Sequence, residues 1–167
     1  MSPFSLLLVS PALVYLLGAL ASRHHWQPAH LAAWAALLLS LSAVPATPAG
    51  NANSAAWLAA APLNLVMSVL VSLIGLVVLR FSIRYLAADP AEQRFRFWLQ
   101  LCLAAVSLII VTNHLLVFWA GWTVISISLH QLLMCYPERF RAVLAAHKKF
   151  IFARIGETSL LVAALLL

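Results

Sequence analysis

All ten lysines and arginines of this chain lie in or beside three of the breaks between its long apolar runs. Arg23 follows the first run. Arg80, Arg84, Arg94 and Arg96 flank the break between the third and fourth. Arg139, Arg141, Lys148, Lys149 and Arg154 surround the junction of the fifth and sixth. The alternate breaks, roughly Pro45–Ala60 and Asn113-His114, hold no charge. Polytopic membrane proteins concentrate Lys and Arg in their cytoplasmic loops. The alternation therefore predicts a multi-spanning protein with both ends outside and the three basic loops in the cytoplasm.

Composition excludes the other broad classes. Sixty-five per cent of the residues are apolar and eight per cent charged, which no ordinary soluble domain shows. The net charge of +6 is not the footprint of a nucleic-acid binder. The cations sit at the ends of apolar runs with no aromatic-interleaved basic stretch between them, so a lipid surface is the partner they fit. Cys102 and Cys135 fall in apolar segments and read as small packing residues, not a disulfide. His24, His25 and His30 have no Cys or carboxylate at ligand spacing, so no metal or cofactor is expected in this chain. Gly-rich phosphate loops, Cys-x-x-Cys pairs, nucleophile elbows and paired carboxylates are missing, so the sequence carries no soluble-enzyme signature. Ala19-Leu20-Ala21 resembles a signal-peptide cleavage site. No basic residue precedes the first run, however, and Arg23 follows it, which favours an uncleaved helix with its N-terminus outside.

A spanning helix needs about 20 predominantly apolar residues. Six segments fit, at about 4–21, 29–45, 62–86, 95–112, 115–135 and 149–167. The fold class is therefore all-α, a polytopic transmembrane bundle over residues 1–167. Arg80 and Arg84 share a face at i,i+4 and are expected to snorkel to the interface. Asp89-Pro90-Ala91-Glu92 reads as a helix start, with Asp as the cap and Glu closing a capping box, so helix 4 is expected to begin near Pro90. The two-residue break at Asn113-His114 makes helices 4 and 5 neighbours, and helices 4 to 6 are expected to form an antiparallel packed group. The chain stops inside the apolar run Leu165-Leu166-Leu167, so it is expected to be the N-terminal part of a longer protein.

Ionisable groups inside spans are costly and mark function by default. Glu157 lies well inside the sixth apolar segment. Two readings stay open for it: a local ion pair with Arg154, three residues earlier, or a proton relay through a buried carboxylate. His130 lies in helix 5 and shares a face with Thr123 and Ser126, at i, i+3 and i+7. That stripe fits interhelical hydrogen bonding, worth on the order of 1 kcal/mol per contact, and equally a titratable group on a proton path. Lys148-Lys149 is either a basic anchor or, tucked against the bundle, a proton-exchanging pair.

Several segments resemble the proton-translocating antiporter-like subunits of respiratory NADH:quinone oxidoreductase and of Mrp-type antiporters. These are Phe81-Ser82-Ile83-Arg84-Tyr85-Leu86-Ala87-Ala88-Asp89-Pro90, Arg94-Phe95-Arg96-Phe97, and Asn113-His114-Leu115-Leu116-Val117-Phe118-Trp119-Ala120-Gly121-Trp122. Ala145-Ala146-His147-Lys148-Lys149-Phe150 and Arg154-Ile155-Gly156-Glu157 follow in the right order and spacing. The likeness covers about half of the chain, from Leu79 onwards; the first sixty residues match by pattern alone. It implies an ion path in which Lys148 and Glu157 hold the family's charged positions. One departure stands out. The family's helix 5 glutamate after Gly-Trp is replaced by Thr123, so the usual Glu–Lys switch cannot operate as such.

The stretch Thr123-Val124-Ile125-Ser126-Ile127-Ser128-Leu129-His130-Gln131-Leu132-Leu133 resembles the DabB branch, membrane subunits of inorganic-carbon pumps, which similarly lack that glutamate. The resemblance implies a bacterial inner-membrane location and a DabA-like zinc subunit as partner. It also implies that a flux of protons or another cation drives hydration of CO2 to bicarbonate in that partner. Lys148, Glu157, His130 and Thr123 are then the expected ion-path positions, with zinc in the partner alone. Two other readings are a proton-translocating subunit of a respiratory or hydrogenase complex, and a structural scaffold without an ion path. Thr123 and His130 separate the first of these from the DabB branch.

Overall fold

The computed structural model describes residues 3–21, 27–43, 62–86, 91–135 and 140–166. Six α-helices follow one another: α1 (Pro3–Ala21), α2 (Gln27–Ala43), α3 (Pro62–Tyr85), α4 (Glu92–Val111), α5 (Leu115–Leu133) and α6 (Phe140–Leu166). No strand occurs among the described residues. Runs of Leu, Ala and Val this long can satisfy their backbone groups in an apolar medium only by closing i→i+4 bonds within the segment. Pro11 sits inside α1, where it removes one donor without ending the helix.

The six predicted helices are present, with one revision. α4 starts at Glu92, close to the expected Pro90, and the Glu92 carboxylate lies 3.3 Å from the Arg96 guanidinium; Asp89 and Pro90, on which the expected capping box rests, lie outside the described residues. α6 begins nine residues before the expected 149. Phe140–Lys149 has the Ala, Leu, Arg and Lys content of a good helix former, and charge there disguises it as a loop. The Arg23 loop, the Pro45–Ala60 loop and Tyr136-Pro137-Glu138-Arg139 also lie outside the described residues.

α1 packs against α2 and α4, α2 against α3, and α3 against α4; α5 then lies on α4, and α6 on α5. Arg94 of α4 donates to Gln131 of α5 at 2.5 Å, and Ile109 lies against Gly121, so the two helices are antiparallel, as predicted. His130 against His147 and Trp119 against Glu157 make α5 and α6 antiparallel too. The start of α4, the end of α5 and the start of α6 thus share one end of the bundle, where Arg94, Arg96, Arg141, Lys148 and Lys149 gather.

Small and polar residues make up much of the interior, beside a few large ones such as Tyr15, Leu65 and Leu79. Ala12, Ala19, Ala32, Ala33, Ala36, Ala104, Ser40, Ser72 and Ser107 are buried, whereas Leu17, Leu31, Val66, Phe81 and Phe152 are exposed. A water-soluble domain shows the reverse. Helices that pack within lipid show this arrangement, because lipid solvates leucine and small residues let backbones approach. This is an integral membrane protein. Of the helices, α3, α4 and α5 are long and apolar enough to cross a membrane; the apolar parts described in α1 and α2 are shorter, Leu8–Ala21 and Ala29–Ala43.

Polar anchors fix the four-helix group. The fully buried Gln100 donates from Nε2 to the carbonyl of Ala29 (3.3 Å). The Tyr15 hydroxyl donates to the carbonyl of Ser72 (3.4 Å). Close approach makes two glycines necessary. A Cβ on Gly18 would stand 2.5 Å from the Ala32 Cβ, and one on Gly121 2.7 Å from Ile109 Cγ1. We expect Gly18→Val to lower stability by roughly 1–3 kcal/mol through overpacking, read as an earlier thermal unfolding of the detergent-purified protein. An unchanged midpoint would mean that α1 and α2 do not meet there.

Candidate functional site at the α5–α6 interface

Of the four expected ion-path residues, His130 and Glu157 lie at the α5–α6 contact, about two helical turns apart along it. On an α-helix, successive residues turn by about 100°. Trp119, Thr123 and His130 therefore fall on one face of α5, and that face meets α6. The Trp119 indole Nε1 donates to the backbone carbonyl of Glu157 (2.8 Å). The Thr123 hydroxyl donates to the Trp119 carbonyl one turn back (3.0 Å), so it is occupied locally. The His130 ring lies 4.8 Å from the Phe150 ring and 5.8 Å, edge-on, from His147. Its Nδ1 is buried without a hydrogen-bond partner.

Glu157 is buried at 3 % exposure, so a carboxylate does lie inside the bundle. Its Oε2 is 2.5 Å from Arg154 Nη2. The approach is that of an ion pair, yet its angles are not those of a hydrogen bond: both carboxylate oxygens and Arg154 Nη2 remain without one. The Arg154 guanidinium also lies 5.0 Å over the Phe150 ring, a cation–π contact that fixes its stem. The ion-pair reading of Glu157 is thus realised in geometry. It does not close the relay reading, because a carboxylate with unmet acceptors can still exchange a proton.

Lys148 is placed differently from the other expected residues. It is exposed and in none of the α5–α6 contacts. The reason is angular: nine residues separate it from Glu157, which puts the two about 180° apart on α6. Lys149 lies about 80° from Glu157 instead, is partly buried, and lines a cavity on the α5 side. Sequence reasoning missed Lys149 as a distinct residue, together with Trp119, His147 and Phe150. The helical angle between each lysine and Glu157 was the available signal. Among the described residues, no three His, Cys, Asp or Glu gather as a metal site.

Comparison with known proteins adds a lineage. Residues 48–96 match the family profile of the N-terminus of chain 5 of NADH-ubiquinone oxidoreductase, complex I. A probable inorganic carbon transporter subunit, DabB, of Hydrogenovibrio crunogenus is 41 % identical over 98 % of this chain and 32 % of its own length. The chain is a DabB homologue. DabB2 of Halothiobacillus neapolitanus is 35 % identical over 72 % of this chain and 22 % of its own length. Subunit L of the NADH-quinone oxidoreductase of Mycobacterium tuberculosis is 29 % identical over 71 % of the chain and 19 % of its own length. The likeness to DabB extends through the first sixty residues, further than the motifs after Leu79 show. The chain spans about a third or less of the length of these curated relatives. Both of the relatives named DabB are described as probable inorganic carbon transporter subunits.

Proposed function

We propose that this chain is part of the membrane subunit of an inorganic-carbon pump, in which a flux of protons or another cation drives CO2 hydration in a DabA-like zinc subunit. The observation that carries the reading is the 41 % identity to a DabB over nearly the whole chain. Thr123 supports it. At the position of the family's helix 5 glutamate stands a hydroxyl bonded to its own backbone, so a proton path here needs other titratable groups. His130 and Glu157, both at the α5–α6 contact, supply them, and Lys148 remains on the outer face of α6. Thr123, His130, Lys148 and Glu157 are the ion-path residues of this reading. The zinc chemistry belongs to the partner, in the bacterial inner membrane.

The test is bicarbonate accumulation. Cells at low CO2 that express the complete protein with a DabA-like partner should accumulate bicarbonate. Cells expressing either alone should not. Equal accumulation without this protein sinks the proposal. If accumulation is absent but the protein sustains NADH-linked proton pumping in a respiratory complex, the relationship to subunit L becomes the better guide.

The membrane topology belongs to the same proposal: six spans, both ends outside, and the basic breaks at the cytoplasmic face. A single cysteine placed in the Pro45–Ala60 loop should react with an impermeant thiol reagent added to intact cells. Labelling that requires permeabilisation reverses the orientation.

A further inference from the structure

We propose that the first turns of α4 bind the phosphodiester of an anionic phospholipid, with the Arg94 guanidinium as its counter-charge. The inference is independent of the transport reading above: it requires only that this end of the bundle lie at a headgroup layer. A cavity of about 260 Å³ opens on the surface of α4, lined by Gln93, Arg94, Phe97 and Trp98. These side chains form two i,i+4 rows, 93–97 and 94–98, that run side by side along the helix. Gln93 and Arg94 are exposed, and Phe97 and Trp98 are half-buried. The space is smaller than the clefts that enclose whole drug-sized ligands. It suits a headgroup whose acyl chains stay in the bilayer.

The cation at this cavity is held in place. Arg94 donates from Nη2 to the Gln131 Oε1 of α5. That bond uses one of the five N–H groups of a rigid fork. A guanidinium fixed in this way presents its other donors with little freedom left to lose. Its charge is not met within the described part of the chain. The two carboxylates there, Glu92 and Glu157, each already face an arginine, Arg96 and Arg154. Glu92 and Arg96 moreover lie about 160° round α4 from Arg94. Arg84, in the last turn of α3, and Arg141 and Lys148 of α6 are exposed at the same end, so the local field is positive. The counter-charge that fits Arg94 is an anion from outside.

The order of groups along α4 favours a lipid over free phosphate. α4 is long and apolar enough to cross a membrane, and Trp98 stands about 6 Å further along it than Arg94. From the end inward the sequence runs guanidinium, indole, then the aliphatic Leu99, Leu101 and Leu103. A phospholipid has the same order: phosphate, glycerol esters, acyl chains. Tryptophan favours that middle level of a bilayer, and its indole N–H is a donor suited to an ester carbonyl. The Phe97 and Trp98 rings meet edge-on, 5.4 Å between centres, and make a fixed apolar wall. Arginine binds phosphate oxygens through paired N–H groups, and the Gln93 amide adds a donor beside it. A free phosphate would use Arg94 and Gln93 and leave the wall idle. Basic pockets beside spanning helices take anionic headgroups in this way.

The experiment uses the complete protein, purified in a neutral detergent and stripped of lipid. Phosphatidylglycerol or phosphatidylcholine is titrated in, and bound lipid is counted by native mass spectrometry. The tightest phosphatidylglycerol should bind roughly tenfold or more better than phosphatidylcholine. Arg94→Gln should weaken that site about fivefold. Arg84→Gln removes an equal charge from the same end of the bundle and should change it less than about twofold. Because Arg94→Gln also breaks the bond to Gln131, Gln131→Leu is measured beside it: it breaks the same bond but keeps the cation, and should lose less affinity. Equal affinities for the two lipids would overturn the inference. So would equal losses in Arg94→Gln and Arg84→Gln, which mark a diffuse surface charge, or a loss in Gln131→Leu as large as in Arg94→Gln. Displacement of phosphatidylglycerol by inorganic phosphate would make the free ion the ligand and overturn the lipid assignment.

Discussion

Replacing Glu157 by Gln is expected to abolish bicarbonate accumulation, and a companion substitution tells why. Glu157 is buried and carries an ion pair to Arg154, so the single variant confounds two effects. Removing one partner of a buried pair leaves an uncompensated charge, a cost of about 3–5 kcal/mol when both groups are enclosed. Arg154 is 36 % exposed, so water reaches its guanidinium and the cost falls toward or below the lower end. The double variant Arg154→Gln/Glu157→Gln removes both charges and with them that penalty. If Glu157 lies on the ion path, the double variant assembles normally and still accumulates nothing. If the double variant transports at the parent rate, Glu157 serves only to neutralise Arg154. Trp119 binds the backbone of Glu157, not its carboxylate, so both variants leave the helix contact in place.

Most of the architecture is visible in the amino-acid order, because lipid imposes few solutions. Apolar runs of about 20 residues must be helices, and a two-residue break such as Asn113-His114 must make an antiparallel pair. The start of α6 is hidden because the signal is apolarity, and Phe140–Lys149 is helical without being apolar throughout. The site was half legible. Glu157 and His130 announce themselves as ionisable groups in apolar runs, and both are at the α5–α6 contact. Lys148 and Lys149 are adjacent in sequence, and a family motif points to the first. Which of them meets α5 is decided by the phase of α6 against α5, about 100° per residue, and that phase is set by Ala146, Phe150 and Glu157 packing inward. Ser126 is marked in the sequence by the polar stripe it forms with Thr123 and His130, but nothing there shows that its hydroxyl has no hydrogen-bond partner. Gln100 and Tyr15, which tie α4 to α2 and α1 to α3, were equally unmarked.

Introducing a carboxylate at Thr123 should be the most damaging change on α5. Thr123 is partly buried, one turn from Trp119 and on the same face. Because α5 and α6 are antiparallel, with Trp119 at Glu157 and His130 at Phe150, position 123 lies level with Ala153 and Arg154. Thr123→Glu would therefore put a second carboxylate beside a guanidinium that already has one. Two acids cannot both be paired by Arg154, and the unpaired one either keeps a proton or draws in Lys149 across the interface. Each outcome removes a mobile charge from the groove. Bicarbonate accumulation should fall by at least tenfold. Thr123→Gln has the same shape without the charge, and should retain most of the rate. Equal loss in both variants would assign the effect to packing alone. Parent activity in Thr123→Glu would mean that this subunit accepts the carboxylate of its respiratory relatives, and that the threonine is not what separates the two ion paths.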